Sequence, residues 1–223
     1  IIEDAAEMHG QTYNGKMCGS FGDISIFSFY PNKHITTGEG GMVLMDDERL
    51  YEKCKSLRNL CFSSDGNKRF IHEELGWNLR MTNIQAALGV AQLERIDEFV
   101  TKKRWIGNMY QELLSDIKSI NLPIKQTDFA ENIYWVFPVT LKDDYAKTAK
   151  EVMKELGAKG IGTRPFFYPM HTQPVFNKMG LFVDEEYPNA TKLYERGFYI
   201  PSGLAITEKQ IREVSKIMHE VLI

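Results

Sequence analysis

The chain has 223 residues, of which 43% are hydrophobic and 12% aromatic, and this composition predicts one or two packed domains rather than a disordered segment. The formal charge is −3, from 27 basic and 30 acidic residues, and no basic stripe runs along the sequence, which argues against a nucleic-acid-binding protein. No apolar run approaches the ~20 residues of a membrane-spanning helix, which argues against a membrane protein.

The cysteines and histidines show no pattern that would predict a metal site. The cysteines are odd in number, widely spaced and outside any Cys-x-x-Cys motif. We therefore interpret Cys18, Cys54 and Cys61 as structural thiols of a reducing compartment and expect a cytoplasmic protein. The five histidines lack the spacing of zinc ligands, and a lone histidine is usually structural.

The first segment of the chain, Ile1–Asp4, has the pattern of a buried strand that finishes in acidic residues. A carboxylate at the carboxyl end of a buried parallel strand faces the crevice where α/β proteins bind their ligands, which makes Asp4 a candidate site residue. An aspartate after a strand also commonly caps the next helix, and the residues alone leave both interpretations open.

A second strand, Asp23–Phe29, carries apolar side chains on both faces, a pattern typical of a strand that is covered on both sides. Pro31 ends its pairing, and Lys33 follows. The glycines at 38, 40 and 41 allow backbone turns that a side chain would forbid, before a further strand at Met42–Met45.

Lys33 is thus expected at the end of an apolar strand, partly shielded from water. Most lysines are solvated surface charges, but a lysine that attacks an aldehyde needs such a partly dry position. Pyridoxal phosphate requires a lysine for its aldehyde and an acidic partner for its pyridinium nitrogen. Lys33 and Asp4 fill these two roles, so the residues predict pyridoxal 5'-phosphate as the cofactor.

Caps and hydrophobic periodicity predict the elements in the middle of the chain. The predicted elements are a helix capped by Asp46 or Asp47, an exposed loop at 62–76, and one long helix. The long helix starts at a capping box of Thr82 and Gln85 and runs to Leu114.

From about Asn121 the pattern changes to short strands and helices, which suit a small α+β domain. Strand Ile133–Leu141 contains Pro138 and is therefore expected at a sheet edge. The remaining elements are a helix at 145–157, an extended arm at 161–167 and a final helix at 207–221, with a capping box of Thr207 and Gln210. We place the boundary between a cofactor domain, 1–108, and a small carboxyl-terminal domain, 109–223, within the long helix.

Taken together, the chain resembles the sugar aminotransferases of the DegT/DnrJ/EryC1/StrS family through motifs that occur in the family's order. They include Glu3-Asp4-Ala5-Ala6 with His9-Gly10, Gly19-Ser20-Phe21-Gly22-Asp23, Phe27-Ser28-Phe29-Tyr30 through Lys33, Gly38-Glu39-Gly40-Gly41-Met42, Asn78-Leu79-Arg80-Met81-Thr82-Asn83, Thr163-Arg164-Pro165 through His171, and Pro201-Ser202-Gly203. The residues at 36–41 and 164–171 are most similar to one branch of the family.

The resemblance implies an α/β fold of the aspartate aminotransferase-like type (fold type I), with an incomplete cofactor domain and a small α+β carboxyl-terminal domain. It implies pyridoxal phosphate-dependent transfer of an amino group from L-glutamate to a 4-keto-6-deoxy sugar nucleotide. Family members carry a substantial segment before the point that matches Ile1, so we expect a partial chain. The expected assembly is a homodimer with active sites at the interface, without nucleic-acid or membrane partners.

The resemblance also assigns roles to individual residues. Lys33 corresponds to the lysine that binds the cofactor, Asp4 to the partner of its pyridine nitrogen, and Ser28 to a serine that touches its phosphate. Asn78 corresponds to an asparagine that reaches the phosphate of the neighbouring subunit's cofactor. The residues expected at the substrate are Arg80, Tyr168 and His171.

Glu7 departs from the glutamine that many family members have three residues after the aspartate. Its position still places Glu7 among the expected cofactor-binding residues. A carboxylate there would repel the cofactor's phenolate oxygen unless one of the two groups is protonated.

Two other functions stay open. Related dehydratases have a histidine at the position of the lysine, so Lys33 favours amino transfer over dehydration of the sugar. The second alternative is a non-catalytic piece that acts only in oligomerisation, because the segment that forms one wall of the cofactor site is not in this sequence.

Overall fold

The computed structural model describes residues 1–68 and 70–223. Contacts divide the chain into two compact units, Ile1–Val100 (unit 1) and Thr101–Ile223 (unit 2). This division and the boundary expected after residue 108 both fall within helix Ile96–Leu113, and the domain limits stay a prediction.

Unit 1 contains a three-stranded sheet, a small hairpin and the helices that follow them. Its elements are β1 (Ile2–Asp4), β2 (Thr12–Tyr13), β3 (Lys16–Met17), β4 (Ile24–Ser28), β5 (Gly41–Leu44), α1 (Glu48–Arg58), a 3-10 turn (Gly66–Lys68), α2 (Asn83–Leu93) and the start of α3 (Ile96–Leu113).

The strand order in the sheet of unit 1 is β1–β4–β5. β1 and β4 run parallel with Asp4 opposite Ile26, whereas β5 runs antiparallel to β4 with Gly41 opposite Ser28. All residues of β4 are at least partly buried, as the sequence predicts for a covered strand. Because parallel strands point the same way, the carboxyl ends of β1 and β4 lie side by side at one edge of the sheet.

The side chain of Glu3 fixes the turn that leads into β4. Its carboxylate accepts hydrogen bonds from the backbone N–H groups of Gly19 (2.6 Å), Phe21 (2.8 Å) and Gly22 (3.2 Å) and from Ser25 Oγ (3.0 Å). Burial acts to raise the pKa of this carboxyl, but the hydrogen bonds outweigh burial and lower it. The charged form of Glu3 therefore stabilises the folded turn.

The predicted helix caps in unit 1 are confirmed. Asp47 caps α1, because its carboxylate accepts the N–H groups of Arg49 and Leu50. Thr82 and Gln85 form the capping box that starts α2. In both helices, a side chain satisfies N–H groups that have no partner within the helix.

The single long helix predicted after Thr82 is wrong, because the chain turns between α2 and α3. The Arg95 N–H donates to the carbonyl of Gln92 at 3.0 Å. This bond spans three residues, whereas the bonds of a continuing α-helix span four. The acidic residues Asp97 and Glu98 stand in the first turn of α3, where negative charge favours a helix start. Neither proline nor glycine stands at this break, so hydrophobic spacing alone does not reveal it.

Unit 2 is an α+β domain, as the sequence predicts. Its elements are the rest of α3, β6 (Ile120–Asn121), β7 (Phe137–Leu141), α4 (Ala149–Ala158), β8 (Arg164–Pro165), a 3-10 turn (Met170–Thr172), α5 (Pro174–Lys178), α6 (Pro188–Arg196), β9 (Gly197–Ile200) and α7 (Glu208–Leu222).

The sheet of unit 2 is antiparallel with the order β6–β7–β9–β8, so the predicted edge position of β7 is wrong. β6 pairs only with Thr140 and Leu141. Pro138 lies beyond the reach of β6 and is opposite Tyr199 of β9. Its missing N–H therefore costs no hydrogen bond to β6, and proline is tolerated in an internal strand.

Two helices of unit 2 start at capping boxes. Thr207 and Gln210 start α7, as predicted. Thr148 and Glu151 start α4, so this helix begins at Ala149 and not at residue 145 as expected.

The hydrophobic core of unit 2 joins α3, the sheet, α4 and α7. Tyr110, Phe137, Leu156, Phe198 and Met218 are completely buried in it. Burial of each such side chain contributes about 1.5–3 kcal/mol, so this core holds unit 2 together.

A buried cation, Lys103 of α3, is also part of unit 2, with only 5% of its surface exposed. Its Nζ donates to the carbonyl oxygens of Trp135 (2.8 Å) and Ser202 (2.6 Å). Burial lowers the pKa of this amine to about 8. Lys103 thereby links α3 to the residues just before β7 and just after β9.

We expect Glu3→Gln to destabilise unit 1 by about 1–3 kcal/mol, because the turn loses a charged acceptor for four hydrogen bonds, three of which are partly buried. Urea unfolding and hydrogen exchange of the Phe21 and Gly22 amides measure the effect. Glu52→Gln, which removes an exposed carboxylate paired with Lys55, is the matched control and should cost less than about 0.5 kcal/mol. Equal stability of the two variants would contradict the role of Glu3.

Protonation of His219 is expected to stabilise unit 2. Nδ1 lies 2.7 Å from the carbonyl oxygen of Ser215 and Nε2 lies 2.8 Å from Asp116 Oδ1, and both contacts raise the pKa of His219. The stabilisation is complete below the unfolded value of about 6.5 and is lost as the pH rises through the higher folded value. Urea unfolding between about pH 5 and 8 should show this loss, and His219→Gln should weaken it. Identical pH slopes in both chains would contradict the prediction.

Candidate active site

Lys33 lies in the loop after β4, at the sheet edge where β1 and β4 end. Its N–H donates to the Tyr30 carbonyl at 3.0 Å, which makes a turn after the strand. The side chain is only 10% exposed, and Nζ lies 2.7 Å from Oε1 of Glu7, whose side chain is 30% exposed. The amine therefore occupies a sheltered position beside a carboxylate.

The residues after β1 bring Glu7 to this position. The Ala5 N–H donates to the Ile26 carbonyl at 3.0 Å, and the Ser28 N–H donates to the Ala6 carbonyl at 3.3 Å, so the chain continues alongside β4 beyond Asp4. A turn then follows, in which the Met8 N–H donates to Ala5 at 3.0 Å.

Asp4 and Ser28 lie at the same edge as Lys33. Asp4 is exposed, and its Oδ1 accepts the Ala6 N–H at 3.1 Å. This bond caps a turn, so the interpretation of Asp4 as a helix cap is wrong. Ser28 ends β4, and its Oγ accepts the Tyr30 N–H at 3.3 Å. The structure thus brings together four of the predicted site residues, Asp4, Glu7, Ser28 and Lys33.

Two buried histidines lie near Lys33, although the sequence assigned them no role in the site. The His9 ring centroid lies 6.3 Å from that of His34 and 5.3 Å from that of Phe27. Burial, and then the charge of Lys33, lower the pKa of His9 to about 4, so His9 is neutral at neutral pH. The sequence signal that could have placed them near the site is their position, since His9 comes two residues after Glu7 and His34 directly follows Lys33.

Gln92 of α2 anchors the loop that carries Lys33, and sequence reasoning did not identify it. Its Nε2 donates to the Thr36 carbonyl at 2.7 Å, and its Oε1 accepts the Thr36 N–H at 3.1 Å. Gln85 Nε2 donates to the Glu39 carbonyl at 3.1 Å. At Gly40, with φ +149°, a Cβ would lie 2.6 Å from Thr37 Oγ1, which explains this glycine. Helix α2 therefore holds the loop in one conformation.

Asn78 and Arg80 form a separate polar group in unit 1. Arg80 donates to Asn78 Oδ1 at 3.0 Å and to Asn59 Oδ1 at 2.9 Å. Within the described residues, none of these hydrogen bonds reaches Asp4 or Lys33.

Tyr168 and His171 belong to unit 2, where both contact α6. The Tyr168 ring meets the Tyr194 ring edge to face, with 4.9 Å between their centroids. His171 Nε2 lies 3.4 Å from Thr191 Oγ1, and its ring centroid is 5.0 Å from that of Tyr187.

Residues 1–68 and 70–223 show neither a metal centre nor a membrane-spanning helix. No group of three or more acidic, histidine or cysteine residues in these ranges could hold a metal ion. No helix in the same ranges has both the length and the apolar character needed to cross a membrane.

We expect Gln92→Leu to loosen the lysine loop, because the Thr36 N–H and carbonyl lose their side-chain partners. Hydrogen exchange at the Thr36 amide should become at least tenfold faster, which corresponds to about 1.4 kcal/mol. Gln111→Leu, which removes a bond to the Pro123 carbonyl in unit 2, is the control and should leave Thr36 unchanged. Unchanged exchange in the Gln92 variant would contradict the anchoring role.

This chain is similar to known aminotransferases in both sequence and fold. The model of the DegT/DnrJ/EryC1/StrS aminotransferase family matches residues 1–219. The chain is 37% identical over 223 residues to GDP-perosamine synthase of Escherichia coli O157:H7, covering 99% of this chain and 57% of that protein. It is 35% identical over 221 residues to the protein named putative pyridoxal phosphate-dependent aminotransferase EpsN of Bacillus subtilis (strain 168). That match covers 98% of this chain and 56% of EpsN.

A solved structure shows the same fold. PseC of Helicobacter pylori, an aminotransferase involved in the biosynthesis of pseudoaminic acid, has a TM-score of 0.90 at 22% identity, covering 99% of this chain and 59% of that one. The predicted α/β fold class is confirmed, and the chain spans rather more than half the length of these relatives. The chain belongs to the DegT/DnrJ/EryC1/StrS aminotransferase family.

Proposed function

We propose that this chain carries the cofactor lysine of a pyridoxal phosphate-dependent sugar aminotransferase. The observation that carries the proposal is the sheltered amine of Lys33, held at the sheet edge where Asp4 and Ser28 end parallel strands. The proposed reaction moves an amino group from L-glutamate to a 4-keto-6-deoxy sugar nucleotide, as in a GDP-perosamine synthase. The similarity at 36–41 and 164–171, together with the 37% identical relative, supports this branch.

The residues at this edge fit pyridoxal phosphate. Lys33 supplies an amine for the aldehyde, Asp4 an exposed carboxylate for the ring nitrogen, and Ser28 a hydroxyl for the phosphate. When bound, the cofactor acts as an electron sink for negative charge on the carbon that loses a proton. The donor chemistry of the edge therefore matches the three parts of the cofactor that need a partner.

Each residue has a defined task in the proposed reaction. The carboxylate of Asp4 keeps a proton on the ring nitrogen through its negative charge. The Lys33 amine takes the proton from the α-carbon of glutamate and returns a proton in the second half of the reaction. Glutamate is oxidised to 2-oxoglutarate, and the keto carbon of the sugar receives the amino group and is reduced to an amine carbon.

The remaining assignments concern substrate and assembly. We assign Arg80, Tyr168 and His171 to substrate binding and Asn78 to the phosphate of a partner's cofactor, in a cytoplasmic homodimer with active sites at the interface. These assignments rest on their matching positions in the family motifs. The two alternatives are dehydration of the keto sugar, which Lys33 disfavours, and a non-catalytic role in oligomerisation.

Cofactor capture at Lys33 tests the proposal. After addition of pyridoxal phosphate, we expect a visible absorption band, and borohydride reduction followed by peptide mapping should place the label on Lys33. Lys33→Ala should lose band and label, because Lys33 supplies the sheltered amine at this edge. Lys53→Ala, which removes another lysine of unit 1 that pairs with a glutamate, should keep both.

Label elsewhere than Lys33 would contradict the cofactor assignment. A separate sample, loaded with pyridoxal phosphate but not reduced, is given glutamate, and released 2-oxoglutarate distinguishes amino transfer from dehydration. Absence of cofactor binding in this chain, and in a longer chain that contains it, would favour the non-catalytic role.

A further inference from the structure

The contact between Lys33 and Glu7 differs from the other lysine–carboxylate pairs of the described residues. Side-chain exposures are 10% and 30% in this pair, whereas both partners are at least 40% exposed in every other such pair within 1–68 and 70–223. An exposed pair is well screened by water and contributes little, but a sheltered pair at 2.7 Å interacts more strongly.

We infer that Glu7 is a positioning residue that holds the amine of Lys33 while this amine is not bound to cofactor. The inference rests on the proposed function and extends it, because it gives the carboxylate a task that a glutamine at this position would not perform. A glutamine could orient the cofactor ring by a hydrogen bond, whereas a carboxylate carries the charge that an ammonium group needs.

Glu7 does not act as the base that activates Lys33. Nζ of Lys33 is the donor and Oε1 of Glu7 is the acceptor of the hydrogen bond that joins them. The two groups therefore form a true ion pair, and the neutral His9 adds no second positive charge to this part of unit 1.

The ion pair has two opposing effects on the lysine. It fixes the direction of Nζ at the sheet edge, which favours attack on a correctly placed aldehyde. It also occupies Nζ with a carboxylate oxygen at 2.7 Å, and the amine must leave this contact before it can attack. Glu7 thus keeps the resting lysine oriented, and a chance electrophile must compete with the carboxylate for Nζ.

Acetylation of the full chain without cofactor tests this inference. Wild type and Glu7→Gln are treated at one neutral pH with the succinimidyl ester of acetic acid, and peptide mass mapping gives the rate at each lysine. Glutamine keeps the size of the side chain and removes the charge. We expect acetylation of Lys33 to be roughly tenfold faster in Glu7→Gln, because in the wild type the amine must break its hydrogen bond to the charged carboxylate before it can attack the ester.

Two controls make the result specific. Asp143→Asn removes the partner of Lys192, a pair with the same 2.7 Å separation but with exposed side chains, and should change acetylation of Lys192 less than twofold. Glu7→Asp keeps the charge on a shorter side chain and should restore part of the protection. Lys103 reports on folding, because its buried amine should stay unlabelled in every variant.

Equal acetylation of Lys33 in wild type and Glu7→Gln would overturn the inference, as would equal rates in Glu7→Asp and Glu7→Gln. The reagent requires no cofactor, so this result is independent of the proposed function. If pyridoxal phosphate fails to label Lys33 while Glu7→Gln still speeds its acetylation, the proposed function fails and the ion pair stands.

Discussion

The parallel pairing of β1 with β4 is the constraint on which the candidate site depends. The ladder continues past Asp4 through the bonds of Ala5 to Ile26 and of Ser28 to Ala6. These backbone bonds leave the turn that contains Glu7 beside the lysine loop. A shift of register by one residue would reverse the faces of the strand and separate Glu7 from Lys33.

The loop of Lys33 depends on groups that are distant in sequence. Thr36 is bonded through both its N–H and its carbonyl to Gln92, and Glu39 is bonded to Gln85. A loop secured only by its own turns would open at low free-energy cost. Because α2 supplies these amides, the position of the lysine depends on a helix that begins 50 residues later in the chain, at Asn83.

The sequence predicted those features that depend on neighbours along the chain, and missed those that depend on packing. The caps at Asp47, Thr82 and Thr207 are local hydrogen bonds and were found. Asp4 and Lys33 could be selected because their chemistry is rare at a strand end. The contact of Glu7 with Lys33 joins residues 26 positions apart, and no local pattern encodes it. The turn at Arg95 likewise leaves the helical spacing intact.

The burial of Lys103 bears on how this chain would choose among its amines. With a pKa of about 8, a larger share of Lys103 is neutral at physiological pH than of an ordinary lysine. The neutral fraction alone would therefore direct aldehydes to Lys103. The same enclosure that lowers its pKa also blocks approach and commits Nζ to two carbonyl oxygens. Access to Nζ, rather than the neutral fraction of each amine, would therefore decide which lysine of this chain meets an aldehyde.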